Sequence, residues 1–387
     1  DGRFSVKLSS SSRRIPGRCE RSLAQSKDGF TETALRLHIS LRSMFRSETE
    51  KMEINMFDIN NPEIKFALDA VWKASQLIQM VQTETAASAL TKGDKSPVTV
   101  ADFASQALVS YLLMGDFPDA VLVGEEASDA LKEPGAEHLL EQVTAYAARF
   151  IPEAKPASVC EWIDRGAAHP AKRFWTLDPI DGTKGFIRGD QYAVALALVE
   201  DGDVKIGVLG CPNLTDGFIS EPGGEGSLLI AVRGAGTWLT SITGFEKNDW
   251  KRIQASPRME GVEARLMRSF ESGHTDVSKI DQFASALGTQ AEPVRMDSQA
   301  KYAVLAAGAG EIILRLLSPK MPDYQEKIWD QAAGSLVLEE AGGRISDLNG
   351  KPLDFSSGRK LVNNRGVLAT NGLLHEAALK ALKDVGA

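Results

Sequence analysis

A chain of 387 residues, 43% hydrophobic and 25% charged, has the makeup of a soluble globular protein with room for one large or two medium domains. No apolar run reaches bilayer-spanning length, Cys19, Cys160 and Cys211 form no CxxC pair, and the five histidines fit no HExxH pattern, which sets aside a membrane span, a disulfide framework and zinc chemistry. Residues 1–47 hold ten Lys/Arg and four Asp/Glu, net +6, so the remainder carries 34 against 48, net −14; an acidic body argues against a polyanion such as DNA and leaves room for a small phosphorylated ligand held through metals.

Residues 1–55 are rich in Ser and Arg and lack apolar periodicity. They read as an organellar transit segment, or as tag or upstream-frame sequence with translation starting at Met52 or Met56; the second is preferred. Asn61, Pro62 and Glu63 then supply a cap, a first-turn proline and a first-turn acid. Ile64, Leu68, Val71, Ile78 and Val81 recur at helical spacing and predict an amphipathic helix. After a polar loop, Asp102 falls near the start of a second predicted helix, where an acid stabilises the dipole. A buried strand is expected at 120–124, ending in Glu125 and Glu126, and residues 129–172 read as helical and loop material, a lid or an insertion.

The densest signal is WTLDPIDGTKGFIRGDQ at 175–191. Phe174, Trp175 and Leu177 read as the end of a buried strand, and Pro179 and Gly182 predict a sharp turn. Asp178 and Asp181 would then be aimed at one point, an arrangement that a hard cation such as Mg²⁺ makes favourable. A plain Asp-rich turn explains the same residues equally well. Residues 192–200 and 204–210 flank a hairpin turn, and further strands are predicted at 227–232, 264–267 and 312–316, with a helix near 280–287. The Gly-rich turns fit neither a dinucleotide site nor a Walker loop. Asp330 precedes a helix predicted over 331–341 and closed by Gly342 and Gly343, and a C-terminal helix is predicted over 373–383.

Taken together, Asp102, Glu125, Asp178, Asp181 and Asp330 all sit at predicted element ends. With WTLDPIDGT at 175–183 and WDQAAGSLVLEEAGG at 329–343, the set resembles the lithium-sensitive, Mg²⁺-dependent phosphomonoesterase superfamily, which includes inositol monophosphatases, fructose bisphosphatases and bisphosphate nucleotidases. The resemblance covers about residues 60–387. Within it the chain is most similar to the 3′(2′),5′-bisphosphate nucleotidases, on SPVTVAD (96–102), GFIRGDQYAVAL (185–196), DSQAKY (297–302) and YQEKIWD (324–330). SFESGHTD at 269–276 departs from the double histidine of many eukaryotic members, leaving His274 as the counterpart.

The resemblance implies an α/β (α+β) layered sandwich of two subdomains, 56–210 with most metal ligands and 211–387 with the nucleotide contacts and Asp330. It implies two or three Mg²⁺ ions per site: Glu125, Asp178 and the Ile180 carbonyl around one, Asp178, Asp181 and Asp330 around another. Asp102 and Thr183 would orient and deprotonate the attacking water. Gly182, Thr183, His274, Ser298, Lys301, Arg315 and Asp330 would contact substrate. The bland readings are a helix cap for Ser298 and surface charges for Lys301 and Arg315. Trp175 and Trp329 read as core, and Cys160 and Cys211 as buried thiols. Phosphomonoester hydrolysis needs neutralised phosphate oxygens, a positioned water and a stabilised leaving alkoxide, and two metal ions about 4 Å apart supply all three.

The implied activity removes the 3′-phosphate of 3′-phosphoadenosine 5′-phosphate, and of its sulfated analogue, 3′-phosphoadenosine 5′-phosphosulfate. An inositol phosphate or sugar phosphate is the alternative substrate, and a non-catalytic nucleotide-sensing protein is the remaining reading. A monomer acting on a small molecule is expected, without nucleic acid or membrane partners. It would be cytoplasmic unless residues 1–55 direct import into an organelle.

Overall fold

The computed structural model describes residues 57–89, 96–270 and 277–387, so the segment 1–55 and His274 lie outside the described residues. In chain order the elements are α1 (Pro62–Ala89), α2 (Ser96–Asp116), β1 (Leu122–Gly124), α3 (Glu137–Ala147), α4 (Pro156–Asp164), β2 (Arg173–Asp181), α5 (Thr183–Arg188), β3 (Ala193–Glu200) and β4 (Asp203–Cys211). A two-strand hairpin follows, β5 (Leu214–Thr215) and β6 (Ile219–Ser220), then β7 (Ser227–Val232), β8 (Gly236–Ser241), β9 (Lys251–Ile253), β10 (Leu266–Arg268), α6 (Val277–Leu287) and β11 (Val294–Arg295). The chain ends with α7 (Ala300–Ala306), β12 (Ile312–Arg315), α8 (Ala332–Glu340), β13 (Arg344–Ser346), β14 (Val367–Thr370) and α9 (His375–Asp384). Among the described residues no helix is long and apolar enough to cross a membrane.

The predicted cap is present: Asn61 Oδ1 accepts the N–H groups of Glu63 at 2.9 Å and Ile64 at 3.3 Å. The second helix begins at Ser96, which puts Asp102 in its second turn rather than at the dipole end. Between 129 and 172 the chain forms α3 and α4, both packed against α2, so this stretch is part of the body rather than a lid.

Strands are ordered β1-β2-β3-β4-β7-β8-β9 in a seven-stranded sheet and β11-β10-β12-β14-β13 in a five-stranded one. The division expected at 210/211 falls inside the first sheet, whose strands β7 to β9 lie beyond it. Both sheets are buried on both faces, and side-chain alternation shows how. Along β3, Val194, Leu196 and Leu198 face a core shared with α1 and α2. Ala193, Ala195, Ala197 and Val199 face a second core with α7 and α8. Small residues on that side let α8 come close, and a Cβ on Gly207 of β4 would lie 2.8 Å from the Ala333 carbonyl oxygen. On β12 and β14, Ile313, Val367 and Ala369 join the same core, while Ile312, Leu314 and Leu368 face α6 and α9. The result is five layers, helix, sheet, helix, sheet, helix.

Candidate active site

Five acids come from four separate places, and burial brings them into one field. Asp178 and Asp181 stand at the end of β2. There Asp178 pairs with Ala195 and Asp181 with Ala193, so three residue steps on β2 match two on β3. Pro179 and Ile180 form a β-bulge with no ladder partner, where a proline lacking its N–H is tolerated. The expected sharp turn is thus a bulge, and the strand runs through it. The Ile180 side chain is buried in the core. The chain then reverses at Gly182, with φ 92°, where a Cβ would stand 2.7 Å from that of Ser298. Only glycine combines that backbone with that approach.

Glu125 follows β1, which pairs in parallel with β2. Gln106 of α2 clamps this segment, donating to the Glu126 carbonyl at 2.7 Å and accepting from the Glu126 N–H at 3.0 Å. Asp330 lies in the turn before α8, which starts at Ala332. Arg359 ties the two together. It donates to the carbonyls of Gly124, Gly166 and Ala168 and stacks on the Trp329 ring, 4.8 Å from its centre.

The electrostatics record the convergence. Burial pushes the Asp178 carboxyl well above its usual range, and the charges of Glu125, Asp181, Asp330 and Asp102 add to the shift. Asp330 is raised well above normal by burial and then by Asp181, Glu326 and Glu125, against the opposing charge of Arg315. Burial also raises Asp102, with Glu126 and Glu125 contributing, and raises Glu125. Asp181 is raised by burial but held back by Arg315, by Lys301 and by the Gln299 N–H, which donates to its Oδ2 at 2.8 Å.

This donor set suits a hard divalent cation. It is all-oxygen, it is desolvated, and Asp178 Oδ1 is buried without a hydrogen-bond partner. Among the described residues no three acid, His or Cys side chains close on one point at ligating distance. The acids are gathered but not drawn together.

Beside them opens a cavity of about 520 Å³, walled by Asp181, Gly182, Thr183, Ser298, Lys301 and Arg315. That volume is typical of a small-molecule site. Its remaining charged wall was not foreseen from sequence: Lys184, Arg268 and Arg295 add positive charge, and Asp297 opposes it. Asp297 also pairs with Arg188 and accepts the Phe270 N–H at 3.1 Å. Lys301 is not a surface charge; it is 8% exposed and donates to Ser269 Oγ at 2.9 Å. Burial, and the neighbouring Arg315, push its ammonium down to about 8. Ser298, with φ 67°, accepts the Ala300 N–H at 3.1 Å and lines the cavity; the residue at the cap position of α7 is Gln299, so Ser298 sits one residue before the cap. Thr183 opens α5 at the cavity wall, whereas Asp102 is buried on α2 and does not line the cavity. The two share no hydrogen bond among the described residues.

Residues 60–387 match the inositol monophosphatase family. The chain belongs to that family. It is 40% identical to a 3′(2′),5′-bisphosphate nucleotidase of Emericella nidulans, covering 82% of this chain and 96% of that one. It is 42% identical to a 3′(2′),5′-bisphosphate nucleotidase of Oryza sativa, covering 83% and 94%. Among solved family members it shares the fold of a Thermotoga maritima IMPase at TM-score 0.53 and 20% identity, covering 84% and 98%. Mycobacterium tuberculosis SuhB gives 0.54 and 18% over 84% and 98%.

Proposed function

We propose that this protein is a Mg²⁺-dependent phosphomonoesterase that hydrolyses the 3′-phosphate of 3′-phosphoadenosine 5′-phosphate, giving AMP and inorganic phosphate, and that also acts on 3′-phosphoadenosine 5′-phosphosulfate. The observation that carries the reading is one cavity whose wall combines Asp181, from the acid cluster, with Lys301, Arg315, Arg268, Arg295 and Lys184. A substrate with one phosphate to be cleaved and another to be held fits a wall that joins acids to so many cations. The nucleotidase relatives supply the nucleotide.

Glu125, Asp178, the Ile180 carbonyl, Asp181 and Asp330 would hold two or three Mg²⁺ ions, which supply charge neutralisation at the scissile phosphate and a more acidic water. The chain's own residues do the rest. Lys301 and Arg315 hold the phosphate that is retained. Thr183, with the Gly182 and Thr183 N–H groups, orients the phosphate that leaves. Asp102 takes the water proton, and its buried setting strengthens it as a base. Water adds to phosphorus, the ester P–O bond breaks, and the 3′-oxygen leaves as the alcohol, taking up through solvent the proton that Asp102 removed from the water. The protein would act as a cytoplasmic monomer.

Phosphate release from a panel of adenosine bisphosphates, inositol phosphates and sugar phosphates, with Mg²⁺ and with chelator, tests the reading. Turnover of adenosine bisphosphates only with Mg²⁺ is expected; turnover confined to inositol or sugar phosphates refutes the substrate. Asp178→Asn should lower kcat by about 10³-fold or more while the circular dichroism spectrum is kept. Unchanged release would refute the metal assignment.

A further inference from the structure

Arg315 is held by one side chain, and that side chain reaches the other wall elements. Glu326 is 5% exposed. Its Oε1 accepts Arg315 Nε at 3.0 Å, and its Oε2 lies 2.9 Å from Arg315 Nη2. This two-point fork fixes the plane of the guanidinium and uses its Nε–Nη2 edge, which leaves the Nη1 amino group for a ligand in the cavity. The same Oε2 accepts Gln331 Nε2 at 2.9 Å, and Gln331 Oε1 accepts the Tyr302 hydroxyl at 2.5 Å. Tyr302 follows Lys301 in the chain and Gln331 follows Asp330. One buried carboxylate therefore sets the relative positions of β12, α7 and the turn before α8, the three elements that carry Arg315, Lys301 and Asp330.

We infer that Glu326 is a positioning residue for recognition of the substrate's second phosphate. It holds Arg315 and Lys301 at a fixed distance from the acid cluster, so that a ligand with two phosphates is preferred over one with a single phosphate. The inference rests on the proposed function, because it takes the substrate to carry both phosphates.

Steady-state kinetics on 3′-phosphoadenosine 5′-phosphate and on 3′-AMP, for wild type and Glu326→Gln, test it. The amide keeps the shape but removes the charge and one acceptor. The ratio of kcat/KM for the bisphosphate to that for the monophosphate should fall about tenfold, through KM for the bisphosphate, as expected for loss of a charge-assisted hydrogen bond. Glu326→Asp keeps the charge on a shorter arm and should recover part of the ratio; it also serves where Glu326→Gln fails to fold. A ratio unchanged in either folded variant, with both substrates losing alike, overturns the inference and leaves the proposed function standing. Wild type that hydrolyses neither nucleotide overturns both.

Discussion

At the scale of single residues, the site depends on backbone that few side chains tolerate. Gly182 at φ 92° faces Ser298 at φ 67°, with a hypothetical Cβ–Cβ approach of 2.7 Å. Gly182→Ala should cost about 1–3 kcal/mol, from left-handed strain and from the clash. Because Thr183 follows directly, phosphate release should fall as well. Urea unfolding and phosphate release, measured on the same preparation, check this; lost stability with full activity would take Gly182 out of the phosphate site. Asp178, Asp181 and Thr183 were legible in the sequence because they share one short motif. Glu326, Gln299, Gln106 and Arg359 were not. Glu326 reaches Arg315 across 11 positions, Gln106 reaches Glu126 across 20, Gln299 reaches Asp181 across 118 and Arg359 reaches Gly124 across 235, and no local pattern marks these pairs.

Elements show the same contrast. Helix α1 was legible from its cap and its spacing, whereas Asp102 falls in the second turn of α2 because Ser96 and Pro97, which read as loop, already belong to the helix. The bulge at Pro179 was read as a turn, since proline and glycine signal broken pairing without saying whether the strand resumes. At the start of α9 His375 is fully buried, 2.9 Å from Ser346 Oγ and 3.1 Å from Thr370 Oγ1. Burial, and then the charge of Arg344, push its imidazole down to about 4, with Glu376 opposing. A depressed value means that the unfolded chain binds the extra proton first. The contribution is fully present above the ordinary pKa of about 6.5 and is lost as pH falls toward 4. Allowing for solvent screening, the loss should be on the order of 2 kcal/mol. Urea midpoints at pH 7.5 and 5, for wild type and His375→Gln, isolate the part that belongs to this residue. Parallel losses in the two proteins would show that His375 does not titrate on unfolding.

For the whole molecule, the five-layer order was reachable only through the resemblance to a known family. Period-2 patterns mark both faces of β3 as buried, but they do not say that α1 and α2 cover one face and α8 the other. That order sets the acids from β1, β2, α2 and the turn before α8 against one another, and it makes them a cost to the protein alone. Burial and mutual repulsion raise Asp178 and Asp330 well above normal, and Asp178 Oδ1 lacks a partner. A cation that binds the folded state alone relieves this repulsion and stabilises by mass action, about 2.7 kcal/mol at a hundredfold excess over Kd. Adding Mg²⁺ to chelator-treated protein should therefore raise Tm by about 5 °C. Asp178→Asn removes one of the repelling charges, so without metal it should melt no lower than wild type, while its response to Mg²⁺ shrinks. An unchanged Mg²⁺ response in Asp178→Asn would place the cation elsewhere. A large fall in Tm without metal would mean that Asp178 supports the fold rather than being strained by it.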